Sequence, residues 1–115
     1  MVSNRKKERT LKRESSLLER VVSKRFVIAW AFNEKSYGVF FAISAKSANP
    51  VLRNRIKRVF RELILHKIDP VLDEERKEKL SLCLISKKGI KFSGFDQDMR
   101  DELERIVDCL AEKIR

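Results

Sequence analysis

The hydrophobic positions change period several times along the chain, and each change marks an element. Leu17, Leu18, Val21 and Val22 recur at helical spacing and predict a short amphipathic helix over residues 14–24. Phe26, Val27, Ile28, Trp30 and Phe32 crowd residues 25–32 with β-branched and aromatic types, which predicts a strand. Asn33, Glu34, Lys35 and Ser36 read as a turn, and Tyr37, Val39, Phe40, Phe41 and Ile43 predict a second strand over 37–45. The two strands are expected to pair as an antiparallel hairpin. Asn49 then suits a helix N-cap and Pro50 the first helical position, so a helix is expected from 51 to about 67. Residues 68–79 contain Pro70 and a mixed charge run, and read as a loop or a short exposed helix. Leu80, Leu82 and Leu84 alternate with Ser81, Cys83 and Ile85, which fits a strand over 80–87 buried on at least one face. After a loop at Lys87, Lys88 and Gly89, the residues Met99, Leu103, Ile106, Val107, Leu110 and Ile114 predict a helix over 96–114. Residues 1–13 show charge without periodicity and read as a flexible basic arm. The remainder, 14–115, is expected to form one α/β (α+β) domain, a two-layer sandwich of helices on a mainly antiparallel sheet.

Charge changes this picture from a fold to a surface. The 115 residues carry 27 Lys and Arg against 17 Asp and Glu, a net charge of +10. That excess favours a polyanionic partner, nucleic acid first and an anionic membrane surface second. It is also unevenly spread. Residues 1–25 hold nine basic and three acidic residues, and 53–68 hold six and one, whereas 69–115 hold ten and twelve. No apolar signal core follows Arg5, Lys6 and Lys7, and no apolar run approaches the roughly 20 residues of a membrane span. Cys83 and Cys109 lack a nearby partner and are expected to be buried apolar thiols in a reducing cytoplasm, without disulfide or metal.

The helix predicted after Pro50 concentrates both properties. At about 100° per residue, Leu52, Ile56, Val59, Phe60 and Leu63 gather on one side, with Arg53, Asn54, Lys57, Arg58 and Arg61 opposite. Glu62 stands four residues after Arg58, where the two can pair. Like charges one turn apart repel by a few tenths of a kcal/mol per pair. Packing alone does not select such an array, whereas phosphates reverse the penalty by releasing counterions. Arginine suits them because its planar fork grips phosphate oxygens in pairs.

The run from Asn49 to Glu62, NPVLRNRIKRVFRE, resembles the signature helix of the bacterial RNase P protein family, and the order of elements agrees over roughly residues 9–115. The resemblance implies a left-handed βαβ crossover through this helix, as in the ribosomal protein S5 domain 2-like fold. It implies a non-catalytic protein subunit of an endoribonuclease that matures tRNA 5′ ends. Such a subunit binds the catalytic RNA, one to one, and the 5′ leader of precursor tRNA in a cleft of the sheet, in the cytoplasm. The RNA performs the hydrolysis with Mg2+, and the protein needs no cofactor, membrane or protein partner of its own. By position, Arg53, Asn54, Arg55, Lys57, Arg58 and Arg61 match the motif that faces RNA, and Ser44 and Lys46 match the Ser and second Lys before the helix.

The chain departs from the family at three places. Ala45-Lys46 stands for the usual Lys-Lys, Ala48 for the usual Gly, and Leu17 or Leu18 for an aromatic residue in the first helix. The last change weakens stacking for the leader, worth about 1–3 kcal/mol per base. Phe26, Trp30, Tyr37 and Phe41 are candidates to replace it, though strand alternation lets only some of them face the cleft. Arg9, Lys12 and Arg13 of the arm are its cationic candidates. The chain's only histidine, His66, has no evident Asp or Cys partner, and Gly38, Gly89 and Gly94 form no phosphate-binding loop. A catalytic site in the protein is therefore not expected. A different class of reading is a structural RNA-binding protein of the ribosomal type, without a role in cleavage.

Overall fold

The computed structural model describes residues 19–32 and 38–115. The elements run β1 (Glu19–Val22), β2 (Phe26–Phe32), β3 (Gly38–Ala42), α1 (Pro50–Leu63), α2 (Glu74–Lys79), β4 (Leu80–Ser86) and α3 (Gln97–Ile114). This is the expected mixture of helices on one sheet, which has four strands where three were expected, in the order β1-β2-β4-β3. Two of its three pairings are antiparallel, and β3 runs parallel to β4 with α1 in the connection between them.

Two expectations about the sheet are corrected. Residues 19–22 are a strand on β2, where Val21 pairs with Ile28 and Val22 with Val27. Val21 is buried while Val22 is exposed, a period of two. Valine pairs at adjacent positions suit either period, and backbone pairing with β2 decides for the strand, which β-branched side chains favour. Leu17 and Leu18 lie outside the described residues, as do the arm and the turn at Asn33–Ser36. Nor do β2 and β3 form a hairpin, because β4 lies between them, with Ile28 opposite Leu84 and Leu84 opposite Phe41. A central strand satisfies its hydrogen bonds on both edges, and β4, with three buried leucines on one face, gains most from that place.

The sheet has one packed and one open face. Ile28, Trp30, Leu82 and Leu84 point toward the helices and join a core with Ile56, Phe60, Leu103 and Leu110. The register puts Val22, Val27 and Ile85 on the opposite face in one row, and Ala29, Cys83 and Phe40 in the next. Phe40 is 53% exposed there. Leu52, Ile56, Val59, Phe60 and Leu63, the stripe read from periodicity, are all buried. The helical path continues past α1 as a wider π-type turn over Ile64–Ile68, which buries Ile64 and Ile68 and leaves Leu65 exposed. Residues 74–79 form the short exposed helix that was one of the two expectations for that stretch, capped by Asp73.

Cys83 is half-buried on the open face, where burial pushes its thiol above the ordinary value, and Cys109 is exposed on α3. The expectation that both are buried is thus only half met by Cys83 and fails for Cys109: Ile106, Val107 and Leu110 fill the inner stripe of α3 and leave position 109 outside. Both are free thiols. Among the described residues no helix is long and apolar enough to cross a membrane.

Candidate nucleic-acid interface

The interface begins with how α1 is started. The Asn49 side chain accepts a 2.8 Å hydrogen bond from the Leu52 N–H, and Pro50 occupies the first turn without wasting a donor. The turn before it is built by Ser44. Its hydroxyl accepts from the Lys46 N–H at 3.1 Å, and its carbonyl accepts from the Ser47 N–H at 3.0 Å. The Ser44 N–H in turn donates to Ser86 Oγ at 3.1 Å, which ties the turn to the end of β4. Ala48 stands buried where the family usually has Gly, and no described residue other than Gly has a positive φ. The position therefore makes no demand that only glycine can meet.

Arg55, Arg58 and Arg61 are exposed along α1 with Asn54, while Arg53 and Lys57 are partly covered. Aromatic rings hold several of these cations in place. The Arg61 guanidinium lies 5.0 Å and Lys57 Nζ 5.7 Å from the centre of Phe41, whose ring packs edge-on against Phe60. Arg55 lies 5.1 Å from the centre of Phe95. Such contacts orient a cation and leave its N–H donors free. None of the ion pairs found among the described residues takes its cation from α1. The pairing of Arg58 with Glu62 is not formed; the cation precedes the acid there, the weaker order for a helical pair. Arg53 Nε is sealed from solvent and has no acceptor among the described residues.

Periodicity could not show that this basic surface continues around the N-terminal end of α1. A recess of about 760 Å³ opens between the turn after β3 and the loop after β4. Phe41, Ile43 and Ile90 give it apolar walls; Lys46, Lys87, Lys88 and Lys91 give it charge, and no carboxylate among the described residues lines it. Lys87 and Lys88 were visible in the sequence only as a loop, because their meeting with Lys46 depends on β3 and β4 being parallel neighbours.

The aromatic candidates separate. Phe26 and Trp30, 0% and 4% exposed, sit in the core and offer no ring to a base, because their parity on β2 points them at the helices. Phe41 is half-buried beneath Lys57 and Arg61. The ring on the open face is Phe40, one position away. Tyr37, Arg9, Lys12 and Arg13 lie outside the described residues. His66 is exposed on the turn that follows α1. Among the described residues no three His, Cys, Asp or Glu side chains stand close enough together to hold a metal ion.

A small α/β sandwich that lines one helix and an adjoining recess with cations in no ion pair among the described residues has the surface charge suited to a polyanion. The family model described as Ribonuclease P matches residues 6–111, and the chain belongs to the ribonuclease P protein family, the protein component of a tRNA-processing ribonuclease that works with an RNA subunit. It is 29% identical over 110 residues to the ribonuclease P protein component of Geotalea uraniireducens (strain Rf4), covering 88% of this chain and 92% of that one. Its fold is similar to that of the Staphylococcus aureus RNase P protein, with a TM-score of 0.64, 21% identity and 88% of each chain covered. The Thermotoga maritima RNase P protein superposes with a TM-score of 0.52 at 18% identity, over 93% of this chain and 86% of that one.

Proposed function

We propose that this chain is a non-catalytic subunit that grips the phosphates of the RNase P RNA with Arg53, Asn54, Arg55, Lys57, Arg58 and Arg61. Lys46, Lys87, Lys88 and Lys91 extend the grip around the end of α1. Ser44 shapes the turn that presents them. The observation that carries the reading is the set of α1 cations braced on Phe41 and Phe95 with no carboxylate partner among the described residues. Cations held in position and left unneutralised gain most from phosphate, because each phosphate neutralised releases counterions. The 5′ leader of precursor tRNA is the second ligand, and the open face of the sheet, with Phe40, is where an unpaired base finds an exposed ring. The RNA holds the Mg2+ and performs the hydrolysis; the protein contributes affinity and orientation, one copy per RNA, in the cytoplasm.

Reconstitution tests this. Added to an in vitro transcribed bacterial RNase P RNA, the chain is expected to restore cleavage of precursor tRNA at low Mg2+, and Arg58→Ala with Arg61→Ala to weaken RNA binding and flatten its salt dependence. Tight RNA binding without any effect on cleavage would instead indicate a structural RNA binder of the ribosomal type. An unchanged salt slope in the double variant would remove α1 from the RNA interface.

A further inference from the structure

Glu102 is an acidic residue on the far helix, α3, yet only 7% exposed. A buried carboxylate is costly unless its oxygens are satisfied, and here three donors converge on it. Ser23 Oγ donates to Oε2 at 2.5 Å, the Arg25 N–H donates to Oε2 at 2.6 Å, and Arg25 Nε donates to Oε1 at 2.6 Å. The contacts run onward from Arg25. Its guanidinium lies 5.7 Å from the centre of Phe92, and Phe92 stacks on Phe26 at 5.2 Å. The Phe92 N–H donates to the Ser47 carbonyl at 2.7 Å, in the turn that leads into α1. The Arg25 carbonyl accepts from the Lys87 N–H at 2.9 Å. Arg25 thus touches both ends of the segment that carries Lys87, Lys88 and Lys91, and through Phe92 that segment is fastened to the turn carrying Lys46.

We infer that Glu102 is a positioning residue for the lysine-lined recess, acting through Arg25 and Phe92 rather than by touching RNA. The inference rests on the RNA-binding reading above. The β1–β2 turn has no need of a buried anion to close, since the Ser23 N–H already donates to the Phe26 carbonyl at 2.8 Å. The carboxylate instead fixes the direction of Arg25. The guanidinium then holds Phe92 while the Arg25 carbonyl holds the Lys87 N–H, and the two contacts set the spacing of four ammonium groups before any phosphate arrives. Preorganised cations bind more tightly because less ordering remains to be done on binding.

The test compares Glu102→Gln with a Lys87→Ala/Lys88→Ala/Lys91→Ala variant and with an Arg55→Ala/Arg58→Ala/Arg61→Ala variant. The probe is an in vitro transcribed bacterial RNase P RNA, titrated well below the unfolding temperature of each protein, with circular dichroism to verify folding. Glu102→Gln is expected to weaken binding about tenfold and lower the salt slope by about one to two. It should add no further loss when combined with the triple lysine variant, because the two changes then act on one contact. Should Glu102→Gln fail to fold, Arg25→Lys, which keeps the charge but cannot spread over Phe92, is expected to give the same loss. Wild-type affinity and slope in Glu102→Gln would overturn the inference, and so would an undiminished Glu102→Gln effect in the triple lysine background. If the lysine variant binds like wild type while the arginine variant does not, this inference falls and the functional reading stands. If neither variant loses affinity, the functional reading itself has failed.

Discussion

The two long helices, α1 and α3, solve the same packing problem and present opposite surfaces. Each begins with an Asx cap, Asn49 or Asp96, whose side chain accepts from a backbone N–H three residues on at 2.8 or 2.9 Å. Each buries one apolar stripe in the same core. Their outer faces differ in how charge is answered. On α3, Arg100 meets Glu104 at 3.4 Å, Asp101 accepts from Gln97 at 2.9 Å and Asp108 takes Lys67 at 2.8 Å. On α1, five cations stand with one acid, Glu62, and three of them, Arg55, Lys57 and Arg61, rest on aromatic rings instead. Amphipathicity therefore tells which side of a helix is inside, and charge pairing tells whether the outside is finished. On α3 both signs of charge alternate and several are paired within the protein. On α1 no cation enters an ion pair among the described residues.

The inner faces should be energetically alike. Phe60→Ala on α1 and Leu103→Ala on α3 are each expected to cost about 3–4 kcal/mol in urea unfolding, since both residues are fully buried. A cost below about 1 kcal/mol for either would break the equivalence. The outer faces should then diverge. Arg55→Ala, Arg58→Ala and Arg61→Ala together are expected to weaken RNA binding about a hundredfold and lower the salt slope by about three, whereas Arg100→Ala with Arg105→Ala changes affinity less than about twofold. Equal losses from the two helices would show that net charge, and not placement, governs binding.

A smaller effect separates the buried acid of α3 from its exposed neighbours. Burial pushes the Glu102 carboxyl up, but hydrogen bonds from Ser23 and Arg25 and the charge of Arg25 outweigh it and hold the group below the ordinary carboxylate value. A lowered folded-state value means that its stabilisation is present above the ordinary carboxylate range and is lost as pH falls through the folded value. Glu102→Gln is thus expected to cost about 2 kcal/mol near neutral pH, a gap that narrows on acidification when unfolding is followed at several pH values. A gap independent of pH would show that ionisation of Glu102 contributes nothing. Smallest is the cap: Asn49→Ala should cost about 1 kcal/mol in thermal or urea unfolding.

Local patterns along the chain were enough to predict α1, α3, their buried stripes, the Asn49 cap and the cationic outer face, because helical periodicity and capping are relations between residues a few positions apart. It also carried the family resemblance, through one long contiguous run. Tertiary structure alone decided the rest. Residues 19–22 became a strand because β2 offered a pairing edge. The placement of β4 between β2 and β3 undid the expected hairpin and brought Lys87, Lys88 and Lys91 beside Lys46. Strand parity put Phe40 on the open face and Phe26 and Trp30 in the core. Glu102 found Ser23 and Arg25 more than seventy positions away. Such pairings depend on which distant edges and loops the packed core makes neighbours, and no local pattern of side chains encodes that.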